Sequence, residues 1–343
     1  MTTAQPEPLA TPSNDGTSVT RAPDELFASM VDSVRTVLYA DRTTVVLAVA
    51  CFAAGGHLLV EDLPGLGKTT LAKALARSVG LGFRRVQFTA DLLPADVTGA
   101  MVLDPATRTP VFRPGPVFTN VLMADELNRA SPRAQSALLE AMEERQVTVD
   151  GTTMALPRPF LVVATQNPYD AAGTSPLPHG QRDRFLLRLS LGYPTRADED
   201  DLLAGTDPAE LLAQLEPAVT PNELAALMAV VAGVSVAPPA RTYVLDLVAA
   251  TRTHPAVRVG ASPRAALSVL RAARALAVAN GRTYVNADDI LAVAPAALAH
   301  RILLHGGDET AGEGGQRVVA EILDVVGAPL GTAPAHQGQG AVG

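Results

Sequence analysis

Short apolar runs alternate with longer stretches of helical periodicity in the first part of the chain. Five short runs have the length and composition of strands. They are His57–Glu61, Arg84–Phe88, Asn120–Asp125, Phe160–Thr165 and Phe185–Leu191. The third and fourth are apolar on both faces, which indicates strands buried inside a parallel sheet. Helical periodicity at Lys68–Val79 and Pro132–Glu144 predicts helices between them. Strands alternating with helices predict an α/β fold, a parallel sheet sandwiched by helices.

Helical periodicity continues on both sides of this region. Before it, the spacing of apolar residues predicts amphipathic helices at Asp24–Leu38 and Thr43–Ala54. From Thr195 onward the strand-like runs disappear, and Pro and Gly separate the periodic segments, which predicts a second, all-α domain. Its expected helices are Asp198–Leu203, Pro221–Val231, Pro239–Thr253, Pro263–Asn280, Ala287–His300 and Gly315–Val326.

The change of pattern divides the chain into two tails and two domains. Both terminal segments are polar or rich in small residues and lack a long apolar run, so we expect them to be disordered. The expected parts are an N-terminal tail at 1–22, an α/β domain at 23–194, a helical domain at 195–326 and a flexible C-terminal tail at 327–343.

Two inserts interrupt the α/β domain. Residues 96–116 are rich in Pro, Gly and Thr, and their two ends can pair as a short hairpin. Residues 146–156 predict a second hairpin, because Asp150-Gly151 supplies the positive φ angles of a tight turn. The tip of this hairpin, Val149–Thr152, contains no Lys or Arg. A loop that pushes on nucleic-acid phosphates should be basic at that point.

Composition narrows the functional classes. The formal net charge of −8 argues against a non-specific grip on nucleic acid or an anionic membrane. The single cysteine, Cys51, lies in an apolar run and is expected to be a core residue. The six histidines lack metal-ligand spacing, so we expect packing or surface roles for them. No apolar run approaches the about 18 residues of a membrane span, and the N-terminus does not read as a signal peptide. We therefore expect a cytoplasmic protein without membrane insertion.

A glycine-containing loop connects the first predicted strand to a helix. Gly65 and Gly67 allow its backbone to curl around phosphates, at a helix N-terminus that favours anions. Lys68 is placed to pair with the β- and γ-phosphates of ATP, and the Thr69 hydroxyl to coordinate Mg²⁺. The candidate nucleotide-binding residues are Asp62, Leu63, Pro64, Gly65, Leu66, Gly67, Lys68, Thr69 and Thr70. The alternative is a strand–helix connection that binds nothing.

Asp62 departs from the usual form of this loop, which has Gly at that position. Asp tolerates the left-handed backbone conformation better than most residues. We therefore expect the turn to survive with Asp62 in place of that glycine.

Two acids end the third predicted strand. Asp125 and Glu126 follow a buried run, at the edge where the strands of an α/β sheet open onto a ligand crevice. We expect Asp125 to hold Mg²⁺ through the water ligands of the metal, and Glu126 to polarise the attacking water. Two solvated loop acids are the alternative. With the phosphate loop upstream, the pair predicts an ATPase that hydrolyses ATP to ADP and phosphate.

These motifs and the runs around them resemble the MoxR family of AAA+ ATPases. The runs that carry the resemblance are Gln87–Gly99, Phe112–Phe118, Ala124–Gly151, Ala164–Pro168 and Gly260–Ala265. The resemblance extends from about Leu26 to Ile302. It implies an AAA+ P-loop NTPase core followed by an all-α lid domain. It also identifies residues 96–116 with the helix 2 insert and residues 146–156 with the pre-sensor 1 hairpin.

The resemblance implies roles for further residues. Asn167 matches the sensor 1 residue that helps to place the lytic water, and a plain Asn-Pro turn is the alternative. Arg184 matches the arginine finger that reaches the site of a neighbouring subunit, with Arg182 as the alternative finger. Arg264 follows the helix-start pair Ser262-Pro263 and matches sensor 2. An exposed, screened arginine is the alternative there.

The family resemblance also implies a biological activity. It indicates a homo-oligomer, a hexameric ring, that uses ATP to remodel or mature partner protein complexes. The client is often a protein with a von Willebrand factor A domain. A nucleic-acid motor of the related helicase clade is the alternative, disfavoured by the acidic composition and the hairpin tip. A switch that binds but does not hydrolyse nucleotide is a third possibility, which the intact Lys68, Asp125, Glu126 and Arg184 disfavour.

Overall fold

A computed structural model describes residues 21–167, 177–306 and 313–328. In these residues eleven strands form one five-stranded sheet and three two-stranded pairs. The strands are β1 (Leu58–Glu61), β2 (Phe83–Gln87), β3 (Gly99–Leu103), β4 (Pro110–Pro114), β5 (Val121–Asp125), β6 (Gln146–Val149), β7 (Thr152–Ala155), β8 (Leu161–Gln166), β9 (Leu187–Leu189), β10 (Val257–Val259) and β11 (Leu303–Leu304).

The large sheet is parallel throughout, with the strand order β2-β5-β8-β1-β9. Its members are the five strands that the sequence predicts, each close to its expected bounds. β5 is buried at every position and β8 at all but its last, as their apolar sequences require. Because all five strands run in one direction, their carboxyl ends meet at one edge of the sheet.

Thirteen α-helices lie in the same described residues, and none of them is long and apolar enough to cross a membrane. The helices are α1 (Pro23–Arg35), α2 (Arg42–Ala53), α3 (Lys68–Arg77), α4 (Pro94–Thr98), α5 (Pro132–Glu144), α6 (His179–Arg182), α7 (Arg196–Leu203), α8 (Pro208–Gln214), α9 (Pro221–Gly233), α10 (Pro238–Thr253), α11 (Pro263–Ala279), α12 (Ala287–Leu298) and α13 (Glu313–Val325). Periodicity predicts all except α4, α6 and α8, which have five, four and seven residues. Each makes at most two turns, so few apolar positions repeat in it.

The sheet separates two apolar cores. In β1, Leu58 and Val60 belong to one core and Leu59 to the other, because neighbouring side chains point to opposite faces. The first core joins the sheet to α1, α2 and α3 and continues into α9 through α13. The second joins it to α5. This arrangement confirms the expected sandwich, and Cys51 is a buried residue of the first core.

The helical region also contains a strand pair that the sequence did not indicate. β10 and β11 pair in antiparallel orientation, so this region is not purely helical. Three helices of this region begin at the residues that the sequence predicts, because a side chain caps each start. Thr220, Ser262 and Asn286 each accept a hydrogen bond from a backbone N–H in the first turn of α9, α11 and α12.

Both inserts contain hairpins, since β3 pairs with β4 and β6 pairs with β7. Asp150 and Gly151 have φ angles of 48° and 78°, which the tight turn between β6 and β7 requires.

At the N-terminal boundary, Arg21 pairs with Glu223 at 3.0 Å, so ordered contacts begin before the expected end of the tail. Residues 1–20 and 329–343 lie outside the described residues, and the domain boundaries stay predictions.

Candidate functional site

The loop between β1 and α3 depends on two glycines. Gly65 and Gly67 have φ angles of 87° and 85°, in the left-handed region that other residues rarely adopt. A Cβ atom on Gly67 would also lie 2.9 Å from Leu38 Cδ1. Gly67 directly precedes the first turn of α3, so the loop delivers its backbone amides to a helix N-terminus. This is the main-chain arrangement that binds phosphate groups.

Asp62 serves this loop in a different way from the one expected. Its φ angle is not positive, so the loop does not use the left-handed conformation at this position. Its buried carboxylate accepts hydrogen bonds from Ser190 Oγ at 2.8 Å and from the backbone N–H of Leu191. Asp62 therefore anchors the start of the loop to the segment that follows β9.

Lys68 lies between the loop and the acid pair. Its Nζ donates hydrogen bonds to the backbone oxygens of Asp62, at 2.5 Å, and Leu63, at 3.1 Å. Partial burial lowers the pKa of Lys68, while the negative charges of Asp62, Asp125 and Glu126 act in the opposite direction. The ammonium group thus faces both the loop carbonyls and the field of the acids.

The acid pair is held by a buried threonine on the neighbouring strand. Thr165 Oγ1 donates to Asp125 Oδ1 at 2.5 Å and accepts from the backbone N–H of Glu126 at 2.9 Å. Glu126 has a φ angle of 53°, a conformation that bulky residues rarely adopt. The backbone therefore turns sharply after β5, and Thr165 stabilises the turn.

Two further residues hold the carboxylate of Glu126. Gln87 Nε2 donates to Glu126 Oε2 at 2.8 Å, and Arg129 Nε lies 3.0 Å from the same oxygen. On the other acid, Arg85 donates to Asp125 Oδ2. The sequence motifs do not single out these three residues. The available signal was Arg85 and Gln87 at alternate positions of a strand end, where both side chains face one side.

The loop and the acids surround one cavity of about 550 Å³ at the carboxyl edge of the sheet. Six of the nine candidate nucleotide-binding residues line it. They are Pro64, Gly65, Gly67, Lys68, Thr69 and Thr70. Asp125, Glu126 and Asn167 also contribute to its walls. The volume suits a nucleotide-sized ligand.

The donor set at this cavity also fits magnesium. Mg²⁺ prefers oxygen ligands and keeps several of its waters. The Thr69 hydroxyl and the Asp125 carboxylate supply such oxygens in the wall of one cavity. The chemistry of the residues therefore fits a Mg²⁺–nucleotide complex.

The two candidate arginines lie at a different place. Arg184 and Arg264 both bind the carboxylate of Glu143, Arg184 through Nη1 at 3.1 Å from Oε2 and Arg264 through Nη2 to Oε1. They line a second cavity of about 350 Å³ and do not line the one at the phosphate loop. Arg145 and Arg271 line this second cavity too, whereas Arg182 does not. The structure thus brings the finger and sensor 2 candidates together, away from the phosphate loop of their own chain.

Comparisons with known proteins agree with this geometry. Residues 57–187 match the ATPase family associated with various cellular activities (AAA), and residues 249–322 match the AAA lid domain. The chain is 39% identical over 295 residues to chaperone MoxR1 of Mycobacterium tuberculosis. That match covers 82% of this chain and 77% of the other protein.

Two further relatives span nearly the same length. The chain is 43% identical over 305 residues to the uncharacterized protein YeaC of Bacillus subtilis, covering 89% of this chain and 95% of that protein. A solved structure of a "putative ATPase" from Cytophaga hutchinsonii superposes with a TM-score of 0.80 at 34% identity. That match covers 90% of this chain and 96% of the other.

Proposed function

Because this chain belongs to the MoxR family of AAA+ ATPases, we propose that it binds ATP with Mg²⁺ and hydrolyses it within a ring to remodel partner protein complexes. The observation that carries the proposal is the meeting of Lys68 and Thr69 with Asp125 and Glu126 around one cavity. Phosphate, metal and lytic water each have a suitable group there.

The residues of this cavity divide the work of hydrolysis. The loop amides and Lys68 bind the phosphates, and Thr69 and Asp125 hold the metal. Magnesium, when bound, neutralises phosphate charge and orients the phosphate oxygens. Glu126 accepts a hydrogen bond from the attacking water and polarises it, and Asn167 helps to orient that water. Gln87 and Arg129 position the Glu126 carboxylate for this role.

The position of Arg184 and Arg264 supports a ring. Both arginines line a cavity separate from the phosphate loop, so we propose that they act on the nucleotide of a neighbouring subunit. An arginine supplied in this way stabilises the charge of the transition state. A head-to-tail contact between unlike faces closes into a ring when the rotation allows, and we propose a hexamer.

A protein client fits the inserts better than nucleic acid does. Val102, Leu103 and Val111 of the β3–β4 hairpin are 44%, 61% and 49% exposed, and such apolar exposure favours protein contact. The tip between β6 and β7 carries no basic residue. We propose a protein client, with a von Willebrand factor A domain protein as the first candidate, as the family resemblance implies.

Two substitutions test the ATPase assignment. Glu126→Gln should keep Mg²⁺–ATP binding but lower steady-state phosphate release about a hundredfold or more, because it removes the base. Lys68→Ala should lose saturable binding in calorimetry. Glu216→Gln makes the same change of residue type at an exposed glutamate, and it should match the parent in both assays.

Three outcomes of such assays would contradict the proposal or parts of it. Equal turnover in Glu126→Gln and the parent would refute the role of Glu126. No saturable affinity of the parent for Mg²⁺–ATP would reject the whole function. Hydrolysis stimulated by DNA, with a steep dependence on salt, would instead favour the nucleic-acid motor.

A further inference from the structure

Arg85 of β2 binds the acid that is expected to hold the metal. Its Nη2 and Nε both donate to Asp125 Oδ2, at 2.5 and 3.1 Å. The other carboxylate oxygen, Oδ1, accepts a hydrogen bond from Thr165 Oγ1. Protein donors therefore engage both oxygens of Asp125. The donor to Oδ2, the guanidinium of Arg85, carries a permanent positive charge because it stays protonated.

The same guanidinium is also connected to the second acid. Arg85 Nη2 donates to Gln87 Oε1 at 3.2 Å, and Gln87 Nε2 donates to Glu126 Oε2 at 2.8 Å. Arg85 thus contacts Asp125 directly and reaches Glu126 through one amide. A change at Asp125 that moves Arg85 also removes one of the bonds that orient Gln87.

The bond between Arg85 and Asp125 can be broken without disturbing the core. The Arg85 side chain is 47% exposed and lines the cavity that contains Lys68 and Thr69. A partly exposed ion pair contributes little to folding. Within that cavity, however, a guanidinium and a divalent cation that use the same carboxylate repel each other. Each should therefore weaken the hold of the other on Asp125.

We propose that Arg85 and Mg²⁺ compete for Oδ2 of Asp125, whether the metal uses that oxygen directly or through a bound water. Arg85 is then a positioning residue that sets the metal requirement of nucleotide binding. Displacement of Arg85 from Asp125 loosens Gln87 and so couples the metal site to the orientation of Glu126. This inference rests on the proposed Mg²⁺–ATP function.

The test measures how strongly Mg²⁺ increases the affinity of the protein for nucleotide. The full chain is titrated with a fluorescent ATP analogue in EDTA and at a series of Mg²⁺ concentrations. The affinity ratio with and without Mg²⁺ should rise about three- to tenfold in Arg85→Ala, because the competitor of the metal is gone. The half-saturating Mg²⁺ concentration should fall in parallel. A ratio in Arg85→Ala equal to or below that of the parent overturns the competition.

Arg84→Ala is the matched control. It removes the same charge from the neighbouring exposed residue of the same strand, whose side chain points to the opposite face. Its affinity ratio should equal that of the parent, and a rise as large as that of Arg85→Ala would reduce the effect to net charge and overturn the proposal. Failure of the proposed function is distinct, because the parent itself would then show no saturable binding.

Discussion

Arg301 Nε donates to Asp183 Oδ1 at 2.7 Å, and this ion pair joins the helical region to the segment that carries Arg184. Burial lowers the pKa of Arg301 to about 10, which leaves it protonated at neutral pH. Ser262 Oγ, the cap of α11, donates to Asp183 Oδ2 at 3.0 Å. One carboxylate therefore fixes the position of Arg184 relative to the helix that begins next to Arg264.

Removing the guanidinium of Arg301 should destabilise the protein strongly. Arg301→Met leaves Asp183 nearly buried without its charged partner, so the free energy of unfolding should fall by about 3–5 kcal/mol. Urea unfolding at neutral pH measures this change. Arg317→Met provides the control, because the Arg317 side chain is 73% exposed and pairs with Glu321 at 3.9 Å. It should cost less than about 0.5 kcal/mol, and equal losses in both variants would contradict the prediction.

Mixing two inactive variants should restore activity if Arg184 acts on a neighbouring subunit. Arg184→Ala keeps its phosphate loop, and Lys68→Ala keeps its arginine. In an equal mixture with random exchange, roughly one quarter of the interfaces combine an intact loop with an intact arginine. Phosphate release should therefore rise clearly above that of either variant alone.

The mixing experiment has a direct control and a clear contrary result. The double variant Lys68→Ala/Arg184→Ala, mixed with either single variant, forms no complete site and should stay inactive. An arginine that serves its own subunit would leave the mixture of single variants as inactive as its components.

Local patterns predict most of the fold and fail where contacts join distant parts of the chain. β5 and β8 are continuous apolar runs, so their burial in a parallel sheet follows from sequence. β10 and β11 could not be predicted in this way, because each is short and their register joins residues 257 and 304. The short helices α4, α6 and α8 make at most two turns each, so few apolar positions repeat in them.

The same limit applies to the site. The loop around Lys68 and the pair Asp125 and Glu126 are contiguous motifs with known chemistry, so sequence identifies them as candidates. Gln87 and Thr165 reach the acids because β2 and β8 flank β5. That neighbourhood depends on strand order, which no local pattern encodes.

At position 62, we expect the glycine of the usual loop sequence to destabilise this protein. Replacing it with the usual glycine removes the acceptor for Ser190 Oγ and the buried N–H of Leu191. Asp62→Gly should therefore lower the free energy of unfolding by about 1–3 kcal/mol, measured by urea unfolding. Asp62→Asn, which keeps one acceptor oxygen, should lose less. A glycine variant as stable as the parent would show that the anchor contributes nothing.

Two buried histidines should make the protein sensitive to mild acid. His57 Nδ1 accepts from the backbone N–H of Val162 at 3.0 Å, and its Nε2 lies 3.1 Å from Met142 O, so the ring is neutral with its proton on Nε2. Burial lowers the pKa of His57 to about 3. Burial, aided by the charge of Arg301, also lowers the pKa of His300 well below its usual value.

The sign of the effect follows from proton uptake on unfolding. The unfolded chain protonates these histidines near pH 6.5, whereas the folded chain does not, so stability is full above that pH and falls below it. Between about pH 7.5 and about pH 5.5, each histidine should cost about 1.4 kcal/mol of unfolding free energy in urea titrations. His57→Asn, whose amide oxygen can still accept from the backbone N–H of Val162, should show about half the loss of the parent. His305→Gln, at an exposed position, should keep the full loss. An acid-dependent loss in His57→Asn as large as in the parent would mean that His57 is not held neutral by the fold.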